Sequence, residues 1–148
     1  MHRLFKISLG NSFSSYKTLL IKPKSPVAQI DAAFNFFEKN FYIVETKWTA
    51  KPTIPKDIVL FRDRLSTVGT IGLFISVSGF TSQAVEKAYE FRKERQILLM
   101  DGEELEIILK GSPPFDEAMR LKQMYLLKDS NPYYKIQSTI QMEAHVYG

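Results

Sequence analysis

Residues 71–77 read IGLFISV, a stretch of strand length that is apolar almost throughout. A strand with apolar side chains on both faces needs cover on both sides, which a sheet only gains when helices pack above and below it. A second run of the same kind, QILLM, follows at 96–100. Between them, residues 83–94 have helical character, and Thr81 or Ser82 is placed to cap that helix. Two buried strands joined by a helix are expected to pair in parallel through a right-handed crossover. This restricts the chain to the α/β class.

The remaining segments fit around that unit. KTLLIK at 17–22 is a short β-like run stopped by Pro23 and Pro26. Residues 29–36 and 41–48 read as two strands with the polar turn Glu38-Lys39-Asn40 between them, and should form an antiparallel hairpin. A helix is expected over 56–68, its stripe formed by Ile58, Phe61, Leu65 and Val68, with Gly69 ending it. A short helix at 103–110 follows the second apolar run. Gly111-Ser112-Pro113-Pro114 breaks it, and a last helix runs over 115–128. The expected fold is a mixed central β-sheet, an antiparallel hairpin meander plus parallel strands, flanked by helices. It forms a single domain over 1–148, with its core at about 17–110 and a C-terminal helical extension over 111–148.

A chain of 148 residues is long enough for one hydrophobic core. The absence of cysteine excludes disulfides and thiolate metal sites, and no apolar run has the length of a membrane span, so a cytoplasmic protein is expected. The net charge is +4, but residues 1–30 carry five basic residues (Arg3, Lys6, Lys17, Lys22, Lys24) and no acidic one. Such a flank suits either solvent or a phosphate backbone.

Glu45-Thr46-Lys47 is the only acidic-x-Lys triplet in the chain. The triplet alone says little, since a chain of this length contains an E-x-K by chance roughly half the time. Its placement at the end of a β-patterned segment says more. Period-2 alternation puts Glu45 and Lys47 on one face with Phe41 and Ile43. With the turn centred on Glu38, Asp31 lies opposite Glu45, where directly opposed Cβ atoms are about 5 Å apart. Two carboxylates that close repel unless a cation lies between them. Mg²⁺ or Mn²⁺ is such a cation, and Lys47 is then placed to act on a water or on phosphate charge. The competing reading is a set of ordinary strand-end charges paired with one another. Gln29 shares the face of Asp31 and is a candidate substrate contact. Trp48 is expected in the core. Lys22, Lys24, Lys51, Lys56, Arg62 and Arg64 are candidate phosphate contacts. Ser76 and Ser78 have no histidine base beside them, which argues against a serine nucleophile.

The stretch QIDAAFNFFEKNFYIVETKW, then DIVLFRDRL, GLFISVSGFTSQAVEKA and ILLMDGEELEIIL, closely resembles the Mrr-like restriction endonuclease family of the PD-(D/E)xK nuclease superfamily. The resemblance spans about residues 29–109. It implies hydrolysis of DNA phosphodiesters, with Asp31, Glu45 and the Thr46 carbonyl on a divalent metal and Lys47 at the attacking water. Three departures stand out. Ile30 replaces the proline before the first aspartate. Glu45 stands where many members have glutamine. No acidic residue precedes Asp31, where related nucleases often carry one on a first helix.

These readings together lead to the expectation of a Mg²⁺-dependent endodeoxyribonuclease acting in restriction or host defence. Such an enzyme would work as a homodimer or with a separate targeting subunit or domain. Two rivals stay open: a catalytically silent DNA-binding module with the same fold, and a repair or recombination nuclease of the superfamily.

Overall fold

The computed structural model describes residues 16–19, 32–36, 40–65 and 70–139. Its elements run β1 (Tyr16–Leu19), β2 (Ala32–Phe36), β3 (Asn40–Lys47), α1 (Pro55–Arg64), β4 (Thr70–Ser76), α2 (Ser82–Phe91), β5 (Gln96–Asp101), α3 (Gly102–Leu109) and α4 (Phe115–Asp129). The strands lie side by side in chain order. β1 pairs antiparallel with β2, and β2 with β3. In the second pairing Ala32 faces Val44 and Phe36 faces Asn40, a register centred on position 38 as expected.

From β3 onward the pairing changes. β3 pairs parallel with β4, and β4 parallel with β5. Each of these steps passes through a helix, and a helical crossover returns the chain to the same edge, which forces parallel pairing. Where side chains are described, the sheet therefore consists of three parallel strands flanked by helices. The sheet is antiparallel from β1 through β2 to β3 and parallel from β3 to β5, so its helix-flanked part is all parallel rather than mixed.

Alternation along β3–β5 divides the core in two. Ile43, Phe74, Ile97 and Leu99 point to one face, where Ile58, Phe61 and Leu65 of the α1 segment and Ala84, Ala88 and Phe91 of α2 cover them. Tyr42, Val44, Leu73, Ile75, Leu98 and Met100 point to the other. There they meet Leu105 and Ile108 of α3, Phe115, Ala118, Met119 and Leu126 of α4, and Ile136. All seven residues of β4 are buried, as the apolar run requires. Gly72 is where α1 comes closest to the sheet: a Cβ there would stand 2.7 Å from Phe61 Cε2 and 2.8 Å from Leu65 Cδ1.

Helix α1 begins with Pro55 at its first position, and the Asp57 carboxylate accepts from the Ile54 N–H at 3.2 Å. The helix ends at Arg64, where the expectation ran to 68: Leu65 leaves the helical region (φ −84°, ψ 70°), its N–H donates to the Arg62 carbonyl at 3.0 Å, and Arg95 Nε donates to its carbonyl at 2.7 Å. Val68 and Gly69 lie outside the described residues, as do the expected strand residues 20–22 and 29–31. Trp48, expected in the core, is 55% exposed. It follows the last paired residue of β3, so alternation no longer holds it against a helix.

Helix α4 is tied to the sheet by a buried ion pair. Lys122 Nζ meets the Glu104 carboxylate, donates to the Tyr134 carbonyl at 2.8 Å and also donates to the Leu99 carbonyl. Glu104 in turn accepts from the backbone N–H groups of Asp101 at 2.9 Å and Ile136 at 3.1 Å. The Tyr133 hydroxyl and Lys135 Nζ both donate to Asp101. Burial pushes the Asp101 carboxyl up, but these donors and the Glu104 N–H outweigh it and hold the group below its ordinary value.

Candidate active site

The three parallel strands end in a row, Lys47 beside Ser76 and Ser76 beside Asp101. In α/β sheets ligand sites form at this carboxyl edge, because the loops there diverge. One such loop, residues 48–54, leaves β3 and enters α1. It is pinned to the turn after β4: the Thr53 N–H donates to the Gly79 carbonyl at 2.9 Å, and the Thr81 N–H to the Thr53 carbonyl at 3.0 Å. Thr53 Oγ1 donates to Ser76 Oγ at 2.8 Å, which donates to the Gly79 carbonyl at 2.7 Å. Ser76 is thus a structural hydroxyl, with no histidine among these partners. Gly79 has φ +82°, a conformation costly for other residues, and this turn requires it.

Glu45, Thr46 and Lys47 line a pocket of about 220 Å³ together with Asp57, Leu60, Arg64 and Phe74. Glu45 and Lys47 share a strand face with Ile43, and that face is covered by α1. The helix brings its own charges to both. Arg64 Nη1 pairs with Glu45 Oε1, and Lys47 Nζ pairs with Asp57 Oδ2 at 2.9 Å. The Glu45–Arg64 pair is the more buried of the two, with side chains 10% and 18% exposed, against 26% and 28% for Lys47 and Asp57. An ionised carboxylate that far from water is strongly stabilised by a cation beside it.

The other candidate residues are placed less centrally. Lys51 and Lys56 are exposed on the loop and first turn flanking the pocket. Arg62 is turned away toward α2, 4.3 Å above the Phe91 ring, and pairs with Asp63. Arg64, expected as a phosphate contact, is engaged with Glu45 instead. Asp31, Gln29, Lys22 and Lys24 lie outside the described residues. Asp57 is the site residue that sequence reasoning missed. Its signal was local: an aspartate two residues after Pro55, at the start of the helix that follows the E-x-K strand.

A family model, Mrr_cat, described as restriction endonuclease, matches residues 16–109 of the chain. The chain belongs to this family. The matched span contains the whole five-stranded sheet with α1, α2 and α3, and it includes the pocket at the end of β3. Members of the family are endonucleases, which implies DNA as substrate, and they generally use divalent metals. No curated protein matches the chain. No helix among the described residues is long and apolar enough to cross a membrane.

Among the described residues, no group of three or more His, Cys, Asp or Glu side chains is placed to hold a metal ion. The charged lining of the pocket is two carboxylates, Glu45 and Asp57, and two cations, Lys47 and Arg64, with neither imidazole nor thiolate, so the ligands it could offer a metal are oxygens, which suit a hard divalent cation rather than a soft one. The Arg64 guanidinium already places positive charge on Glu45.

Proposed function

We propose that this chain is a divalent-metal-dependent endodeoxyribonuclease that acts in restriction or host defence. Asp31, Glu45 and the Thr46 carbonyl are the metal ligands of this reading, and Lys47 is its catalytic cation. The observation that carries it is the convergence of Glu45 and Lys47 from one strand face into one pocket, in a chain of a restriction endonuclease family. The reading needs the β2–β3 register, seen from Ala32–Val44 to Phe36–Asn40, to extend one pair further to Asp31 and Glu45.

Bound Mg²⁺ or Mn²⁺ would supply charge neutralisation at the phosphate and activation of a water. The chain's own groups do the rest. Glu45, anchored on a paired strand, presents its carboxylate at a fixed position. Lys47 Nζ, held by Asp57, serves as a fixed positive charge beside the attacking water and the negative charge that develops on phosphate oxygens. Lys51 and Lys56, exposed beside the residues that line the pocket, meet adjacent phosphates, and the charge of the basic 1–30 segment adds to the attraction for DNA. The single-domain reading is supported by α4, which packs its apolar residues into the same cluster as β3–β5. Double-strand cleavage with one such site calls for a second copy of it, as in a homodimer, or for a separate targeting subunit or domain.

One observation favours a second reading, the silent DNA-binding module: helix α1 engages both proposed catalytic residues in ion pairs. Incubation of supercoiled plasmid with the protein, with Mg²⁺, with Mn²⁺ and with chelator, decides between the two. Nicking that requires the metal supports the nuclease. Retarded but intact plasmid under every condition supports the silent module.

A further inference from the structure

The Glu45–Arg64 pair sits where the nuclease reading puts a metal, and the inference that follows rests on that reading. We propose that Arg64 is a cationic placeholder: it holds Glu45 while no metal is bound, yields the carboxylate to a divalent cation, and then binds the phosphate being cut. Glu45 is too buried to stand without a positive charge, and Arg64 supplies one from the last turn of α1. A guanidinium and a divalent cation on one carboxylate repel each other, so binding of the cation weakens the hold of Arg64 on Glu45 and favours its release. Arg64 lines the same pocket as Lys47, and its planar fork matches a phosphate better than any other cationic side chain does. Arg62, two residues earlier, is occupied over Phe91 and does not compete for this role.

Exchange of this kind couples the two ligands. Phosphate that takes Arg64 frees Glu45 for metal, and metal that takes Glu45 frees Arg64 for phosphate, so each tightens the other.

The test is Mn²⁺ binding to the full chain by titration calorimetry, with no DNA present. Arg64→Gln should tighten Mn²⁺ by at least about tenfold, because one close positive charge is removed from beside a largely buried carboxylate. Arg64→Met, similar in reach but uncharged, guards against a fold defect in the first variant, with circular dichroism as the check. In a Glu45→Gln background the same Arg64 change should leave Mn²⁺ affinity unaltered, since the competition is for that carboxylate. Duplex binding in Ca²⁺ should weaken in Arg64→Gln. Unchanged Mn²⁺ affinity in both Arg64 variants overturns the placeholder while leaving the nuclease reading intact. Tightening that persists in the Glu45→Gln background also overturns it, as a nonspecific charge effect. A parent protein whose Mn²⁺ binding does not depend on Glu45 removes the nuclease reading and the placeholder with it.

Discussion

Replacing Lys122 by Met should destabilise the protein strongly at neutral pH and much less in mild acid. The lysine is fully buried and makes three contacts, to the Glu104 carboxylate and to the carbonyls of Leu99 and Tyr134. Methionine fills the space but leaves a fully buried carboxylate without its cation, a loss of about 3–5 kcal/mol. The protein can limit that loss by protonating Glu104. For a carboxyl whose ordinary value is 4.5, taking up a proton at pH 7 costs about 3 kcal/mol, and at pH 5 less than about 1 kcal/mol. Burial already pushes Glu104 above its ordinary value, while the field of Lys122 opposes this. A carboxyl with a raised folded-state pKa contributes stability below its unfolded value and loses it as pH rises. Removing Lys122 enlarges that dependence. Urea unfolding followed by circular dichroism at pH 5 and pH 7.5 should therefore give a deficit about 2–3 kcal/mol larger at the higher pH. A deficit below about 1 kcal/mol at pH 7.5, or equal deficits at the two pH values, would refute the reasoning.

Three further outcomes follow from the site and its supports. Asp57→Asn should lower the cleavage rate about 10–100-fold with duplex affinity unchanged, since the aspartate acts by holding Lys47 in place; equal activity in plasmid nicking would show that the pair is incidental. Gly72→Ala should cost about 1–3 kcal/mol in urea unfolding, because the added methyl meets the Phe61 and Leu65 side chains that seat α1 on the sheet. Duplex binding measured without metal should fall with salt, and Lys51→Ala with Lys56→Ala should reduce the log–log slope by about 2, whereas an unchanged slope would make these lysines ordinary solvated charges.

The elements that were legible in the sequence owe their form to local pattern. Residues 71–76 of the IGLFISV run lie in the fully buried β4, with Val77 exposed just beyond it, and the ILLM core of β5 lies alongside, because continuous apolar strands need cover on both faces. The hairpin register over residues 32–44 followed from the position of its polar turn. Thr81 caps α2, its side chain accepting from the Ala84 N–H at 3.1 Å. What escaped was set by distant partners. The end of α1 carries a tertiary contact invisible to local pattern: Arg95, thirty residues away in sequence, reaches the Leu65 carbonyl. Trp48 carries an apolar side chain, yet its exposure depends on where pairing of β3 stops. At the site, alternation placed Glu45 and Lys47 together, but it carried no information about which helix would cover them. The pairings of Arg64 with Glu45 and Asp57 with Lys47 arise only once α1 crosses the sheet. Charge patterning had assigned Arg64 to phosphate because an arginine on an unplaced helix has no other visible partner.

The central claim is that the strand-end pair of Glu45 and Lys47 performs metal-dependent DNA cleavage. Plasmid nicking by purified Lys47→Ala beside the parent, in Mg²⁺ and in Mn²⁺, tests it most directly, with duplex binding and circular dichroism measured on the same samples. The parent should nick only with metal, and Lys47→Ala should bind duplex DNA nearly as well, keep its fold and not nick. Undiminished nicking by Lys47→Ala, or no nicking by the parent with either metal, would contradict it.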